Sequence, residues 1–209
     1  MLSRLRNRVA ARHLLWKSRR AYVVETRTGP LLVLPGVLDP VATKVGAWLG
    51  ETMRGVVKPG EHWLDMGCGT GVVGLAMAGA GARVTCADID PNCVANARAN
   101  AALRRVDLDA RLSDLFGAVG PAHGVVYNAP FWPGEGAGEP FGRAMYAGKA
   151  FEAIRRYREE AAAAGVGRVL LALSEAGRDH AGARAAFGAS RLTHRERVGG
   201  EWLVILEAE

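Results

Sequence analysis

The chain has 209 residues, 49% of them hydrophobic, and a formal net charge of +6. That size allows one substantial core with at most a short appendage, and the sequence holds neither a run of about 18 apolar residues for a membrane span nor an apolar signal core behind its basic start. The three cysteines, Cys68, Cys86 and Cys93, are odd in number and lack Cys-x-x-Cys spacing, which argues against a disulfide framework or a structural zinc site and for a reducing, cytoplasmic compartment.

Positive charge is concentrated early: Arg4, Arg6, Arg8, Arg12, Lys17, Arg19 and Arg20 all precede the first acidic residue, Glu25. This arm reads equally as a solvated helix face and as a docking element for phosphates or an acidic partner. Leu5, Val9, Leu14, Leu15 and Trp16 recur at a loose helical spacing that predicts a short amphipathic helix over 3–18. The apolar runs Ala21–Arg27 and Leu31–Leu34 flank Thr28-Gly29-Pro30 and predict a hairpin. Asp39-Pro40 then reads as a cap and first helical position, opening a helix through Val41, Val45, Trp48 and Leu49.

From there strands and helices alternate. Strands are expected at His62–Met66, Arg83–Ala87, Ala110–Leu112, Gly124–Tyr127 and Arg168–Leu173, with helices between them at Gly71–Ala80, Pro91–Leu103, Ala147–Ala164 and Ala176–Phe187. That order implies a parallel sheet with helices on both faces. Two further strands, Arg191–Arg197 and Trp202–Glu207, are separated by only four residues, too few for a parallel crossover, so the sheet should end in an antiparallel hairpin.

The segment Trp63-Leu-Asp65-Met-Gly67-Cys68-Gly69-Thr70-Gly71 sets a strand directly against alternating glycines at the start of a helix. Such a loop lets a ligand approach the backbone closely, and the helix offers free N–H groups. Gly69 to Gly74 also fits the dinucleotide pattern Gly-x-Gly-x-x-Gly, with Asp88 at a suitable distance, so a nicotinamide-dependent oxidoreductase is one reading. Asp65, two residues before the turn at Gly67, favours the other: a carboxylate repels a pyrophosphate but attracts the ammonium of a methionine moiety. Asp88 ends the second strand, where it can accept from both ribose hydroxyls under either reading. Asp114 follows the third strand and can accept from an adenine amino group while Leu115 covers the ring.

Asn128-Ala129-Pro130-Phe131 leaves the carboxyl end of the strand Gly124–Tyr127, the end at which open parallel sheets bind ligands. The Asn128 carboxamide oxygen and the Ala129 carbonyl can accept both hydrogens of an incoming NH2 group and leave its lone pair aimed at an electrophile. Phe131 supplies a flat surface on which a planar group can stack, with Trp132 extending it.

With these segments the chain resembles the class I S-adenosylmethionine-dependent methyltransferases, and within them the group with an Asn-Pro-Pro-Tyr-like motif, such as the protein-glutamine methyltransferases of release factors. The resemblance covers roughly residues 33–209. It implies an α/β, Rossmann-like, doubly wound and mostly parallel seven-stranded sheet, preceded by the short helix and hairpin. Residues 1–36 would then form the arm and hairpin appendage, and 37–209 the methyltransferase domain. It further implies a donor site at Asp65, Gly67, Cys68, Gly69, Thr70 and Gly71, a ribose site at Asp88 and Ile89, and an adenine site at Asp114 and Leu115. Asn128, Ala129, Pro130 and Phe131 would be the catalytic segment, Asn128 also bordering the cofactor, and no metal is expected. Ala129 stands where the commoner motif has its first proline and Phe131 where it has tyrosine.

The expected acceptor is a planar NH2 group, foremost a protein glutamine. The alternatives are an exocyclic base amine of RNA or DNA, for which the arm would hold phosphates, and a small-molecule amine or guanidine. A monomer or small homo-oligomer away from membranes is the expected state.

Overall fold

A computed structural model gives the fold and describes residues 17–130, 132–134, 141–176 and 179–209. The helix expected over 3–18 lies almost wholly outside the described residues, as do most of the basic arm and Phe131.

The hairpin forms a separate two-stranded antiparallel sheet of β1 (Tyr22–Thr26) and β2 (Gly29–Val33). Its turn is Arg27-Thr28, so Gly29 and Pro30 belong to the second strand and pair with Thr26 and Glu25. Five strands then run parallel: β3 (His62–Met66), β4 (Arg83–Asp88), β5 (Asp109–Leu112), β6 (Gly124–Tyr127) and β7 (Arg168–Ser174). The last two, β8 (Ser190–Val198) and β9 (Glu201–Ala208), form the expected antiparallel hairpin. The sheet order is β5-β4-β3-β6-β7-β9-β8, so β9 lies between β7 and β8 and runs antiparallel to both.

Helices α1 (Val45–Val56), α2 (Val72–Ala78) and α3 (Pro91–Arg104) cover one face, meeting Trp63, Cys86 and Ile205 in a core that also takes in Leu31 of β2. Helices α4 (Glu152–Ala163) and α5 (His180–Phe187) cover the other, against Leu64, Tyr127 and Leu171. The side chains account for this layering. All four positions of β6 are buried, as in a strand covered on both sides, and α4 buries Ile154, Tyr157 and Ala161 at three- and four-residue spacing, one stripe of a helix.

Several helices start later than expected. Asp39 does cap a turn, its Oδ1 accepting from Val41 N–H at 2.8 Å and Ala42 N–H at 3.0 Å, but Lys44 at φ 65° interrupts it and α1 begins at Val45. Residues 146–148 bond to 132–134 instead of joining α4, and Phe151 at φ 59° precedes that helix.

Candidate functional site

The chain leaves β3 for β4 and β5 on one side and reaches β6 on the other, so the strand order reverses beside β3. In an open parallel sheet that reversal opens a crevice at the carboxyl ends. Met66 is in register with both Ala87 and Tyr127. One step further along each strand stand Gly67, Asp88 and Asn128, a row that spans roughly 10 Å at ordinary strand spacing.

Gly67, Gly69 and Gly71 have φ of 62°, 53° and 79°, a left-handed run that side chains disfavour. Their surroundings differ. An ideal Cβ on Gly67 would lie 2.7 Å from the Tyr127 ring, and one on Gly71 would lie 3.0 Å from Ala97 Cβ, whereas one on Gly69 would meet nothing within 4 Å. The loop is thus clamped at both ends and open at its middle. The Cys68 N–H donates to Ala87 O at 3.1 Å and the Gly71 N–H to Cys68 O at 2.8 Å, closing the turn. Thr70 is buried.

The two strand-end carboxylates do different work. Asp65 is 3% exposed, and its Oδ2 accepts from the Gly74 N–H at 2.8 Å and from the Cys86 thiol at 3.7 Å. It therefore points inward, fixing the first turn of α2 beneath the loop, and burial pushes its pKa up to about 7. Asp88 lies under the loop's open middle: Oδ2 accepts from the Gly69 N–H and Oδ1 from the Asp90 N–H, both at 2.9 Å. Burial raises its pKa as well, and the Cys93 thiol also hydrogen-bonds to the carboxylate, which keeps acceptor capacity for a ligand hydroxyl. Beside it Ile89 is 45% exposed, an apolar surface at the mouth of the crevice.

Asp114 and Leu115 follow β5, whose end is tied to β4 by the Ser113 N–H donating to Asp88 O. Leu115 is buried at φ 45° and opens a 3-10 turn. The Asp114 carboxylate is ion-paired at 3.3 Å with Arg156 of α4, which binds Glu160 as well. Neither arginine nor pairing was legible in the local sequence.

On the opposite side of Gly67, Asn128 is half-buried while Ala129 and Pro130 are buried. The Asn128 carboxamide makes no hydrogen bond to another described residue, so both its polar atoms are available to a ligand. After Phe131, outside the described residues, the chain is pinned: the Trp132 N–H donates to Met145 O at 3.0 Å, the Ala147 N–H to Trp132 O at 2.9 Å and the Gly134 N–H to Gly148 O at 3.0 Å. The Trp132 ring, 41% exposed, stands edge-on to Tyr146 with centroids 5.8 Å apart. Among the described residues no group of three His, Cys, Asp or Glu is disposed to hold a metal ion, and no helix is long and apolar enough to cross a membrane.

Sequence reasoning missed Tyr127, whose ring floors Gly67 and packs 4.9 Å from Tyr157, and Gly74, where an added Cβ would lie 2.3 Å from Cys86 Sγ. The available signal for Gly74 was its place in the dinucleotide-like pattern, which marks close helix-to-strand packing whatever the ligand.

Comparison with known proteins follows the same geometry. The profile of the methyltransferase small domain family matches residues 48–152, from α1 through the glycine loop and the Asn128 segment to the start of α4. The ribosomal protein L11 methyltransferase of Thiobacillus denitrificans is 49% identical over 61 residues, 29% of this chain and 19% of that protein. This chain thus matches about a fifth of the length of such curated relatives. A 16S rRNA N2 methyltransferase of T. thermophilus, solved with AdoMet and guanosine, superposes with a TM-score of 0.63 at 20% identity, over 91% of this chain and 50% of that one. The Mtq2-Trm112 complex of E. cuniculi, responsible for methylating a translation termination factor, gives 0.60 at 20% identity, over 79% and 94%. At these identities the two structures share the fold.

Proposed function

The chain belongs to the methyltransferase small domain family, and from that premise we propose that it transfers a methyl group from S-adenosyl-L-methionine to an amide or amino nitrogen, foremost that of a protein glutamine or a similar planar NH2 group. The observation that carries the nitrogen is the Asn128 carboxamide, without a hydrogen bond to any described residue and one strand away from a glycine loop whose middle is open. The nicotinamide reading falls away with the family.

The residues present fit the donor. An open position at Gly69 admits a ligand against the backbone, and Asp88 beside it retains acceptor capacity for ribose hydroxyls. Ile89 supplies exposed apolar surface for adenine with Leu115 packed in the core behind the site, and the exposed Asp114 carboxylate is an acceptor for its amino group. When bound, S-adenosylmethionine supplies an electrophilic methyl on a sulfonium. The protein's part is orientation and exclusion of water. Asn128 Oδ1 and Ala129 O accept the two N–H bonds of the acceptor, turning its lone pair toward the methyl. Pro130 holds Ala129 extended and so keeps that carbonyl in place.

A base amine of RNA is the second reading. It is favoured by the exposed Trp132 face buttressed by Tyr146, on which a nucleobase can stack, and by the charge of +6.

Transfer of tritiated methyl from labelled donor into protein, RNA and small-molecule fractions tests the function and separates the acceptors. Label in the protein fraction that nuclease leaves and protease releases is the expected result. Asn128→Ala should lower the rate roughly 100-fold, as does loss of one preorganised polar contact, with donor affinity changed by less than about threefold. Wild-type turnover in that variant would remove Asn128 from the acceptor site.

A further inference from the structure

Among the described residues the sheet of β1 and β2 has no third strand, yet the outer edge of β2 is hydrogen-bonded. Two asparagines of α3 take the strand's place. Asn96 Oδ1 accepts from the Leu34 N–H at 2.9 Å, and its Nδ2 donates to Leu32 O at 2.9 Å. Asn100 Oδ1 accepts from the Leu32 N–H at 2.8 Å, and its Nδ2 donates to Leu32 O at 2.8 Å. Four residues apart, they share one helix face, and they are 0% and 1% exposed.

Asn100 does one thing more: its Nδ2 donates to the carbonyl of Thr70, inside the glycine loop, at 3.0 Å. Both donors of this buried side chain and its acceptor oxygen are thereby engaged, two bonds on the hairpin and one on the loop. Gly71 rests on Ala97, between the two asparagines. One helix face therefore carries the N-terminal hairpin and the loop together.

We propose that the hairpin is a working part of the donor site, coupled to the glycine loop through Asn100, which is a positioning residue. The inference rests on the reading of that loop as the donor cradle. Held inward by Asn100, the Thr70 carbonyl stays off the ligand-facing side of the loop, where a carbonyl dipole would oppose the donor's carboxylate. Because the same amide group is anchored on Leu32, its orientation depends on that anchor, and loss of the bonds between Asn100 and Leu32 loosens the loop.

Three full-length variants separate this coupling from ordinary stability. Asn100→Asp keeps the size of the side chain but removes both donated bonds and sets a carboxylate against Thr70 O. Asn96→Asp disturbs the hairpin alone. Leu32→Pro removes the N–H that Asn100 accepts, without touching the loop, and reads the coupling from the hairpin side should Asn100→Asp fail to fold.

Amide hydrogen exchange without ligand, over 29–34 and 67–74, is the first readout. The second is the Kd of S-adenosylhomocysteine by calorimetry. Asn100→Asp and Leu32→Pro should speed exchange in both segments and raise Kd roughly tenfold, the scale of one lost buried hydrogen bond. Asn96→Asp should speed exchange in 29–34 only, with Kd within about threefold of wild type. Unchanged exchange over 67–74 in both Asn100→Asp and Leu32→Pro overturns the coupling. Wild-type protein that fails to bind S-adenosylhomocysteine would instead refute the donor reading, while the exchange pattern still decides the clamp.

Discussion

Gly69 and Gly74 are five residues apart and intolerant of a side chain for opposite reasons. Gly69 has free space around it and a φ of 53°, so Gly69→Ala should fold with a loss of about 1–2 kcal/mol from backbone strain while its methyl group intrudes on the cradle and weakens donor binding. Gly74 has helical backbone and no space, with Cys86 Sγ 2.3 Å from an added Cβ. Gly74→Ala should cost about 1–3 kcal/mol by overpacking, seen as a lowered Tm before any ligand is added. Calorimetric unfolding alongside donor titration distinguishes the two. Asp65 gives a pH signature at the same scale. Its folded-state pKa of about 7 lies above that of an unfolded aspartate, and burial is the main cause. The folded state therefore holds the proton more tightly, and the associated stability is full below roughly pH 4 and lost as pH rises to 7, at up to about 1.4 kcal/mol per pH unit. Asp88 is displaced in the same direction, so Asp65→Asn should flatten that slope without abolishing it, in urea titrations run from pH 4 to 8.

At the scale of elements, the β8–β9 hairpin depends on Glu207, whose nearly buried carboxylate receives Arg168 of β7 and Arg191 of β8. The Arg168 guanidinium holds its pKa below the usual range. Glu207→Ala should lower stability by about 1–2 kcal/mol, the arginines being partly exposed, and shift the urea midpoint without altering donor affinity. The same elements show what was legible beforehand. Strands β6 and β7 are built on apolar runs between turns, and the short link before β9, four residues by the expected bounds and Gly199-Gly200 in the structure, dictated antiparallel pairing, so their existence and direction followed from local pattern. The start of α4 did not, because residues 146–148 have helix-forming neighbours but bond across to 132–134, a contact that no local pattern announces. Asp39-Pro40 carried a true cap signal, yet Lys44 lies beside Glu201, with Nζ 2.8 Å from its carboxylate, at a left-handed φ that ends the turn. Asp65 was legible as a strand-end carboxylate but not as one facing inward, since its direction depends on Gly74 and Cys86. Asn96 and Asn100 read as polar positions on an alanine-rich helix, their partners on the hairpin lying more than sixty residues earlier in the chain.

Across the whole molecule, the reversal of strand order beside β3 is what gathers the site: the glycine loop, Asp88 and Asn128 come from three different strands and meet only because β4 and β6 flank β3. The helical layers close the sheet's two faces, leaving its carboxyl edge as the place where a donor and an acceptor nitrogen can be brought into line. A crystal structure with S-adenosylhomocysteine tests that arrangement most directly. The account predicts the ligand lying over Gly67–Gly71 with its ribose hydroxyls on Asp88 and its sulfur facing Asn128. A ligand bound elsewhere, or Asn128 turned into the interior with its carboxamide paired to protein, would contradict it.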